Sequence, residues 1–350
     1  MFTFSSEIIG GIIDNTLEKK NPSVAVSASG RLFLSYRTDA YALVIFSDDG
    51  GKSWSTPAAV AEVGEGEKTF DNRVWIDPLG RLWFMWSVMG GNRVECAICD
   101  SPDADKLAFG DVRTLDFGLM LARPIVSIDG AWLFLSGVTK REVDARGGAA
   151  GKTKGMYVYE STDNGETFRQ KSKPFGGTAF EALSTIEKVI YSRPNGVDIV
   201  GTPYFMVYAQ VAYGVAKFVS PDGGVGFRAE ADSTFGSYFS QMDINTVGPL
   251  REKKILLVNN MHFGEGGKMC FCALFSSNRG DNYQGVLELE APEVKAFFPD
   301  IAVAEDCLYV AYERERADGV KDIALSRFTE QDVLAYRLVD ESSYFGISVG

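Results

Sequence analysis

A short motif, S-x-D-x-G-x-[ST]-[WF], recurs along the chain at a nearly constant interval. Clear copies are SDDGGKSW at 47–54 and STDNGETF at 161–168, and worn copies are SPDGGVGF at 220–227 and SSNRGDNY at 276–283. Their starting points are 114, 59 and 56 residues apart. The first interval predicts a degenerate copy midway, and Ser101, Pro102 and Asp103 followed by Phe109 supply it. A repeat of this length restricts the chain to an architecture of similar stacked units.

Each repeat also contains two apolar strands joined by a tight turn. NPSVAVSASGRLFLSYR (21–37) and NRVWIDPLGRLWFMWS (72–87) share G-R-L-[FW]; RPIVSIDGAWLFLSG (123–137) and FPDIAVAEDCLYVAYER (298–314) are looser copies; fainter ones begin near Thr185 and Gln241. Short strands at this spacing, without helical periodicity, predict an all-β, six-bladed β-propeller of four-stranded antiparallel blades. We expect one domain over residues 1–350, with repeats from about 21 to 335. Residues 1–20 are expected to form an outer strand that closes the ring.

The Asp of the recurring turn has a structural task. Its carboxylate can accept backbone N–H bonds, the Gly can adopt a positive φ, and the aromatic residue can pack between sheets. We therefore interpret Asp49, Asp163 and Asp222 as structural and not as catalytic acids. A calcium loop is excluded because no Glu stands at the required distance. The sequence predicts neither a metal nor a cofactor.

Charge and composition exclude several classes of partner. With 45% hydrophobic and 23% charged residues, the chain can bury a large core. Its formal net charge of −12 argues against nucleic acid and anionic membranes as partners. The first twenty residues lack a basic segment before a continuous apolar stretch, and five cysteines make a poor disulfide framework. We expect a cytoplasmic protein, although a secreted chain trimmed of its export signal has the same features. The oligomeric state stays open.

The recurring turns resemble the Asp-boxes, or BNR repeats, of sialidases (neuraminidases), whose catalytic domain is a six-bladed propeller. Four ordered segments extend the resemblance to bacterial sialidase-like exo-α-sialidases: NPSVAVSASGRLFLSY, FDNRVWIDPLGRLWFMW, LMLARPIVSIDGAWL and FFPDIAVAEDCLYVAYERER. The resemblance implies a carbohydrate ligand and three arginines that clamp its carboxylate. It also implies a Tyr nucleophile activated by a Glu, and an Asp acid/base.

Candidate site residues lie on inner strands and on the loops after second strands, because these converge at one end of a propeller. Charges on inner strands are costly unless they are paired or functional. The candidate catalytic residues are Asp39, Asp71, Glu187, Asp300 and His262, and the candidate substrate-binding residues are Asn21, Arg37, Arg73, Arg123 and Arg314. Asp71 and Arg73 can instead form a salt bridge between strands. Arg314 can be a solvated strand end, and His262 an inert surface residue.

Two residues depart from the sialidase pattern. Asn21 stands where the family has an Arg, and Phe298 stands where the relatives favour Tyr before Pro-Asp. Phe has no hydroxyl to attack with. The sequence therefore predicts an exo-glycosidase for a terminal acidic sugar that uses carboxylates in place of the Tyr. Two alternatives stay open: a non-catalytic carbohydrate-binding propeller, and a lyase for uronic-acid polysaccharide with a Tyr or His262 as base.

Overall fold

In the part of the chain that the structure describes, β-strands are the dominant secondary structure. A computed structural model describes residues 18–38, 41–62, 68–89, 93–115, 118–127, 129–138, 154–177, 186–192, 204–211, 214–230, 242–247, 254–263, 268–276, 282–315 and 317–349. Within these ranges the strands are short apolar runs separated by turns, as the repeat pattern indicates. The predicted all-β propeller is confirmed.

The described strands form six sheets, and three of them come from the first half of the chain. Sheet 1 contains β1 (Lys20–Val26), β2 (Leu32–Arg37), β3 (Tyr41–Ser47) and β4 (Ala58–Glu62). Sheet 2 contains β5 (Lys68–Ile76), β6 (Leu82–Met89), β7 (Arg93–Cys99) and β8 (Arg113–Leu115). Sheet 3 contains β9 (Leu119–Met120), β10 (Ile125–Val126), β11 (Trp132–Val138), β12 (Gly155–Ser161) and β13 (Arg169–Gln170).

The other three sheets follow in chain order. Sheet 4 contains β14 (Ile186–Ser192), β15 (Tyr204–Val211), β16 (Gly214–Ser220) and β17 (Arg228–Glu230). Sheet 5 contains β18 (Met242–Val247), β19 (Lys254–Phe263), β20 (Lys268–Ser276) and β21 (Gln284–Glu288). Sheet 6 contains β22 (Ala296–Val303), β23 (Leu308–Glu315), β24 (Lys321–Phe328) and β25 (Tyr344–Ser348). A short helix, α1 (Glu330–Ala335), connects β24 to β25 and begins with a capping box at Thr329.

Sheet 3 departs from the predicted four strands because its first strand is broken. β9 pairs with Ser136 and Gly137 of β11, whereas β10 pairs with Leu133 and Trp132 of the same strand. Pro124 lies in the gap and has no N–H to donate to a ladder. The expectation of four strands in every blade is therefore wrong for this sheet, which has five.

The chain divides into two compact units. The first comprises Met1–Asp116, Cys270–Cys272 and Leu287–Gly350, and the second comprises Phe117–Met269 and Ala273–Val286. In the first unit one buried apolar cluster joins sheets 1 and 2 through Phe33, Phe84 and Trp86. A second cluster joins sheets 1 and 6 through residues that include Tyr36 and Tyr309. Sheet 1 thus lies between its two neighbours in this unit.

The recurring turns are held by one pattern of hydrogen bonds. Ser161 Oγ donates to Asp163 Oδ1 (2.8 Å) and accepts the Gly165 N–H (2.9 Å), while Asp163 Oδ1 accepts the Thr167 N–H (2.9 Å). The turns at 47–54 and 220–227 repeat these contacts. Hydrogen bonds from Thr167 hold the pKa of Asp163 at about 2. These contacts confirm that the aspartates accept hydrogen bonds within their own turns, as the sequence predicts. The fourth copy, at 276–283, falls mostly outside the described residues.

The ends of the chain are described unequally. The fourth strand of sheet 6 is the C-terminal β25, which pairs with β24. The sequence assigned a ring-closing outer strand to residues 1–20. Of these, residues 1–17 lie outside the described residues, and Lys20 begins the innermost strand β1. Among the described residues no helix is both long and apolar enough to span a bilayer.

Candidate functional site

The first strands of sheets 1, 2 and 6 share a bulge at the same point. The pairing register shifts between Lys20 and Ser23, between Phe70 and Arg73, and between Phe297 and Asp300. The residues that open the bulges are Asn21, Asp71 and Phe298, with φ of 50°, 43° and 49°. Glycine fits this left-handed backbone best, and a side chain there costs about 1–2 kcal/mol. Aligned strain of this kind concentrates at functional sites.

Hydrogen bonds between inner strands bring the three bulges side by side. Asp300 Oδ2 accepts the Ser23 hydroxyl (2.9 Å) and the Val24 N–H (2.7 Å), which ties β22 to β1. Ser23 Oγ in turn accepts the Val74 N–H (3.1 Å) and ties β1 to β5. Asp300 is 1% exposed. Its contacts give this candidate catalytic residue a structural task, and we leave it out of the proposed chemistry.

Asp71 is the buried carboxyl group of the cluster. It is 1% exposed, and its Oδ1 has no hydrogen-bond partner among the described residues. Burial raises the pKa of Asp71 to about 6, although the positive charges of Arg73 and Arg37 lower it and the charge of Glu313 raises it. Part of the Asp71 population therefore keeps its proton near neutral pH, which suits a general acid.

Arg37 ends β2 beside the first bulge. Its Nε donates to Asn21 Oδ1 (2.6 Å), and its terminal nitrogens form no hydrogen bond with the residues described here. Asn21 N–H donates to Glu313 Oε1 (2.7 Å), and Glu313 Oε2 accepts from Lys321 Nζ (3.0 Å). Asn21 thus orients an arginine and is itself buried at 2% exposure. A partly exposed guanidinium held by one nitrogen can bind a carboxylate with the others.

Glu313 was missed at the sequence level. It stands in the alternating run YERER, which reads equally as a solvated strand end. Its position opposite Phe297, next to a bulge, is set by strand register and not by local composition. A charged residue directly after the apolar run LYVAY was the one available signal.

Arg73 lies in the same unit but is held more closely by the protein. Its Nη1 donates to the carbonyl oxygen of Asn72 (3.0 Å), and it is 8% exposed. Asn72 Nδ2 donates to Ser35 Oγ (2.8 Å), a further tie between sheets 2 and 1. Arg73 therefore contributes positive charge near Asp71 from a buried position.

In the second unit, Arg123 lies at the break in the first strand of sheet 3. Arg123 Nη2 is 4.0 Å from Asp243 Oδ2, and the Asp243 carboxylate is fully buried. Glu187 occupies a register shift between Ile186 and Lys188 in β14. His262 lies within β19. Of the candidate residues in this unit, the described contacts therefore bring Arg123 to a buried carboxylate, that of Asp243.

A further candidate, Arg314, forms its contacts away from the bulges. Arg314 Nη1 donates to the Gly346 carbonyl oxygen (2.8 Å) and lies 3.2 Å from Glu290 Oε1, and its Nη2 donates to Ser348 Oγ (2.7 Å). Arg314 thus anchors the outer strand β25, and the proposal below does not use it. Asp39 lies outside the described residues.

The strain at Phe298 predicts an inverted order of stability for two variants. In an ordinary strand, Gly is less stable than Ala by roughly 0.5–1 kcal/mol. At position 298 we expect Phe298→Gly to be more stable than Phe298→Ala by about 1 kcal/mol, because the left-handed backbone is sterically strained for Ala and not for Gly. Urea unfolding of both variants measures this difference. The same pair at Phe297, which has an ordinary φ, is the control and should show Ala as the more stable variant. If Ala were the more stable variant at both positions, the backbone of Phe298 would not be strained.

The fold is shared with solved glycosidase structures. The NanB sialidase of Streptococcus pneumoniae matches with a TM-score of 0.67 and 10% identity over 95% of this chain and 73% of that one. The leech intramolecular trans-sialidase matches at 0.65 and 9% identity, covering 91% and 69%. The alpha-L-arabinanase of Penicillium chrysogenum matches at 0.58 and 12% identity, covering 91% and 95%. The chain has a sialidase-like fold, and identities this low establish the fold alone. No protein-family model and no curated sequence matches the chain.

Proposed function

We propose that the chain is a glycoside hydrolase for a terminal acidic sugar, such as a sialic acid or a related acid. In this proposal the six sheets are the six blades of one propeller. The observation that carries it is that three neighbouring strained bulges hold a buried carboxyl group, Asp71, whose Oδ1 has no hydrogen-bond partner among the described residues, and a partly exposed arginine, Arg37, whose charge acts on it. The sialidase-like fold, which hosts glycosidases, supports the same reaction class by analogy.

Arg37 binds the anionic group of the sugar. Its terminal nitrogens present two parallel donors to a carboxylate, and Asn21 fixes the plane of the guanidinium through Nε. Arg73 adds positive charge from its buried position without a direct role in holding the ligand. A neutral sugar gains nothing from these cations, so the site selects acids.

Asp71 supplies the proton to the leaving oxygen. A carboxyl group with a pKa of about 6 is still partly protonated near neutral pH. Because the side chain is 1% exposed, the proton passes through one bridging water. Asp39 stays as the predicted base that activates the attacking water, and the role of Glu187 stays a prediction from the sequence.

The route has no covalent intermediate at Phe298, since its ring carries no oxygen. The test is a panel of aryl glycosides of sialic and uronic acids, each paired with the neutral sugar of the same ring. We expect turnover of at least one acid and none of its neutral partner. We also expect no mass shift after incubation with a fluorinated acidic glycoside that traps nucleophiles. Failure of every acid to turn over, or a stoichiometric adduct on a Tyr, would refute this route.

A non-catalytic carbohydrate-binding propeller is the second candidate. Two observations favour it: the near-complete burial of Asp71 and the partly exposed ring of Phe298, which can stack on a sugar face. A binding module would bind an acidic sugar without cleaving it, and Asp71→Asn would leave its affinity unchanged. Calorimetric titration with the free acid separates it from the enzyme.

A further inference from the structure

We propose that Glu313 is a positioning residue that sets the direction of Arg37 through the peptide of Asn21. The inference rests on the proposed function for the ligand of Arg37, but the arrangement itself is independent of it. Three short contacts in series carry it: Lys321 Nζ to Glu313 Oε2 (3.0 Å), Glu313 Oε1 to Asn21 N (2.7 Å), and Asn21 Oδ1 to Arg37 Nε (2.6 Å).

The left-handed backbone of Asn21 needs an external constraint. At φ 50° it lies in a region that costs free energy, and the following Pro22 restricts it further. Register pairing does not supply that constraint, because the ladder of β1 with β2 is interrupted between Lys20 and Ser23. The carboxylate of Glu313, from a different sheet, accepts the Asn21 N–H that the bulge leaves outside the ladder.

Burying the carboxylate of Glu313 to accept one backbone N–H costs free energy. It is 1% exposed, and a buried carboxylate destabilises a fold unless its partners are well placed. Lys321, whose own side chain is 31% exposed, supplies the counter-charge and lies 5.3 Å from the Phe297 ring centroid. The charge pair thus holds a fixed acceptor under Asn21. With that peptide fixed, the Asn21 side chain presents its oxygen to Arg37 in one direction.

A double-mutant cycle tests the positioning role. Glu313→Gln replaces one carboxylate oxygen by an NH₂ group. If the remaining oxygen accepts the Asn21 N–H, the NH₂ group must face the Lys321 ammonium, and two hydrogen-bond donors then oppose each other. Lys321→Met removes the ammonium. We therefore expect Glu313→Gln to weaken the Asn21–Arg37 hydrogen bond, and the double variant Glu313→Gln/Lys321→Met to restore that bond. Glu313→Ala should loosen Arg37 with no rescue by Lys321→Met.

The readout is the Nε–H signal of Arg37 in ¹⁵N NMR, identified by its loss in Arg37→Lys. In Glu313→Ala we expect its solvent exchange to become about 10-fold faster or more, while exchange in the β-sheet core stays unchanged. Glu160→Ala is the matched control, because Glu160 is also a buried glutamate with a lysine partner, Lys171. That control should leave the Arg37 signal unchanged. A folded Glu313→Ala protein with wild-type Arg37 exchange would overturn the proposal.

Kinetics separate this proposal from the proposed function. If the chain hydrolyses an acidic glycoside, Glu313→Ala should raise KM for the acid about 10-fold and change kcat much less, since it acts on the binding group. A fall in kcat of about 10-fold with an unchanged KM would overturn the positioning role. If no acid is hydrolysed, the NMR result still decides the role of Glu313, and only the ligand of Arg37 loses its assignment.

Discussion

Replacing Asp71 by Asn is expected to abolish turnover and, at pH 7.5, to stabilise the fold. The amide has the same shape as the acid but cannot donate a proton to a leaving group. General acid catalysis contributes about 10²–10⁴-fold, and a loss of that size in kcat is the expected result. Turnover of the acidic substrate from the panel and urea unfolding at several pH values measure the two effects.

The gain in stability follows from the sign of the pKa shift. Burial raises the pKa of Asp71 from its ordinary 3.8 to about 6 in the folded state. Between these values the folded chain holds a proton that the unfolded chain releases, so stability falls as pH rises through this window. Above pH 6 the ionised group destabilises the fold by about 3 kcal/mol, which Asn removes. The difference between variant and wild type should therefore grow from pH 4 to pH 7 and then level off.

Asp77→Asn is the matched control, since Asp77 is a buried aspartate just past the other end of β5. Its carboxylate accepts hydrogen bonds from Leu79 N, Arg81 N, Arg81 Nε and Trp83 Nε1. Loss of these charge-assisted bonds should destabilise this variant by about 1–3 kcal/mol and leave turnover per folded molecule unchanged. If Asp71→Asn were less stable than wild type at pH 7.5, the unpaired buried carboxylate would be disproved. Retained turnover would remove Asp71 from the reaction.

The repeat made the architecture predictable, because each 57-residue unit carries its own turn chemistry. Ser161, Asp163 and Gly165 form the same hydrogen bonds wherever their spacing recurs, so a local pattern reports the global fold. The break in sheet 3 was not foreseen, although Pro124 inside an apparent strand was a visible warning. Because proline lacks the N–H that a strand ladder needs, the interruption of the strand could have been predicted from this one residue.

The site was only partly predictable, because it depends on register. Asn21 and Phe298 both precede Pro, a position that favours extended backbone, yet both adopt a left-handed φ. Nothing in NPS or FPD indicates a bulge until β1 and β22 are paired with their neighbours. Arg37 and Asp71 could be named from charge on inner elements. Glu313 could not be separated from its neighbours in YERER until its carboxylate was placed under Asn21.

Arg37→Ala is expected to remove the preference for acidic sugars. The variant loses two charge-assisted hydrogen bonds to the carboxylate, each worth about 1.5–3 kcal/mol, so kcat/KM for the acid should fall about 100-fold or more. The weak binding of the neutral partner, measured by calorimetric titration, should not change, because it makes no contact with the guanidinium. The ratio of the dissociation constants for the acid and the neutral sugar is therefore the measurement that reports the role of Arg37.

Arg31→Ala is the control, because it also removes a positive charge near β2. Arg31 precedes β2 at its opposite end, where it is bound to Asp48 (2.6 Å) and to the carbonyl oxygens of Pro102 and Ala104. Its removal should lower stability without altering the acid-to-neutral ratio. A fall of equal size for acid and neutral sugar in Arg37→Ala would mean that Arg37 shapes the fold and does not read the charge.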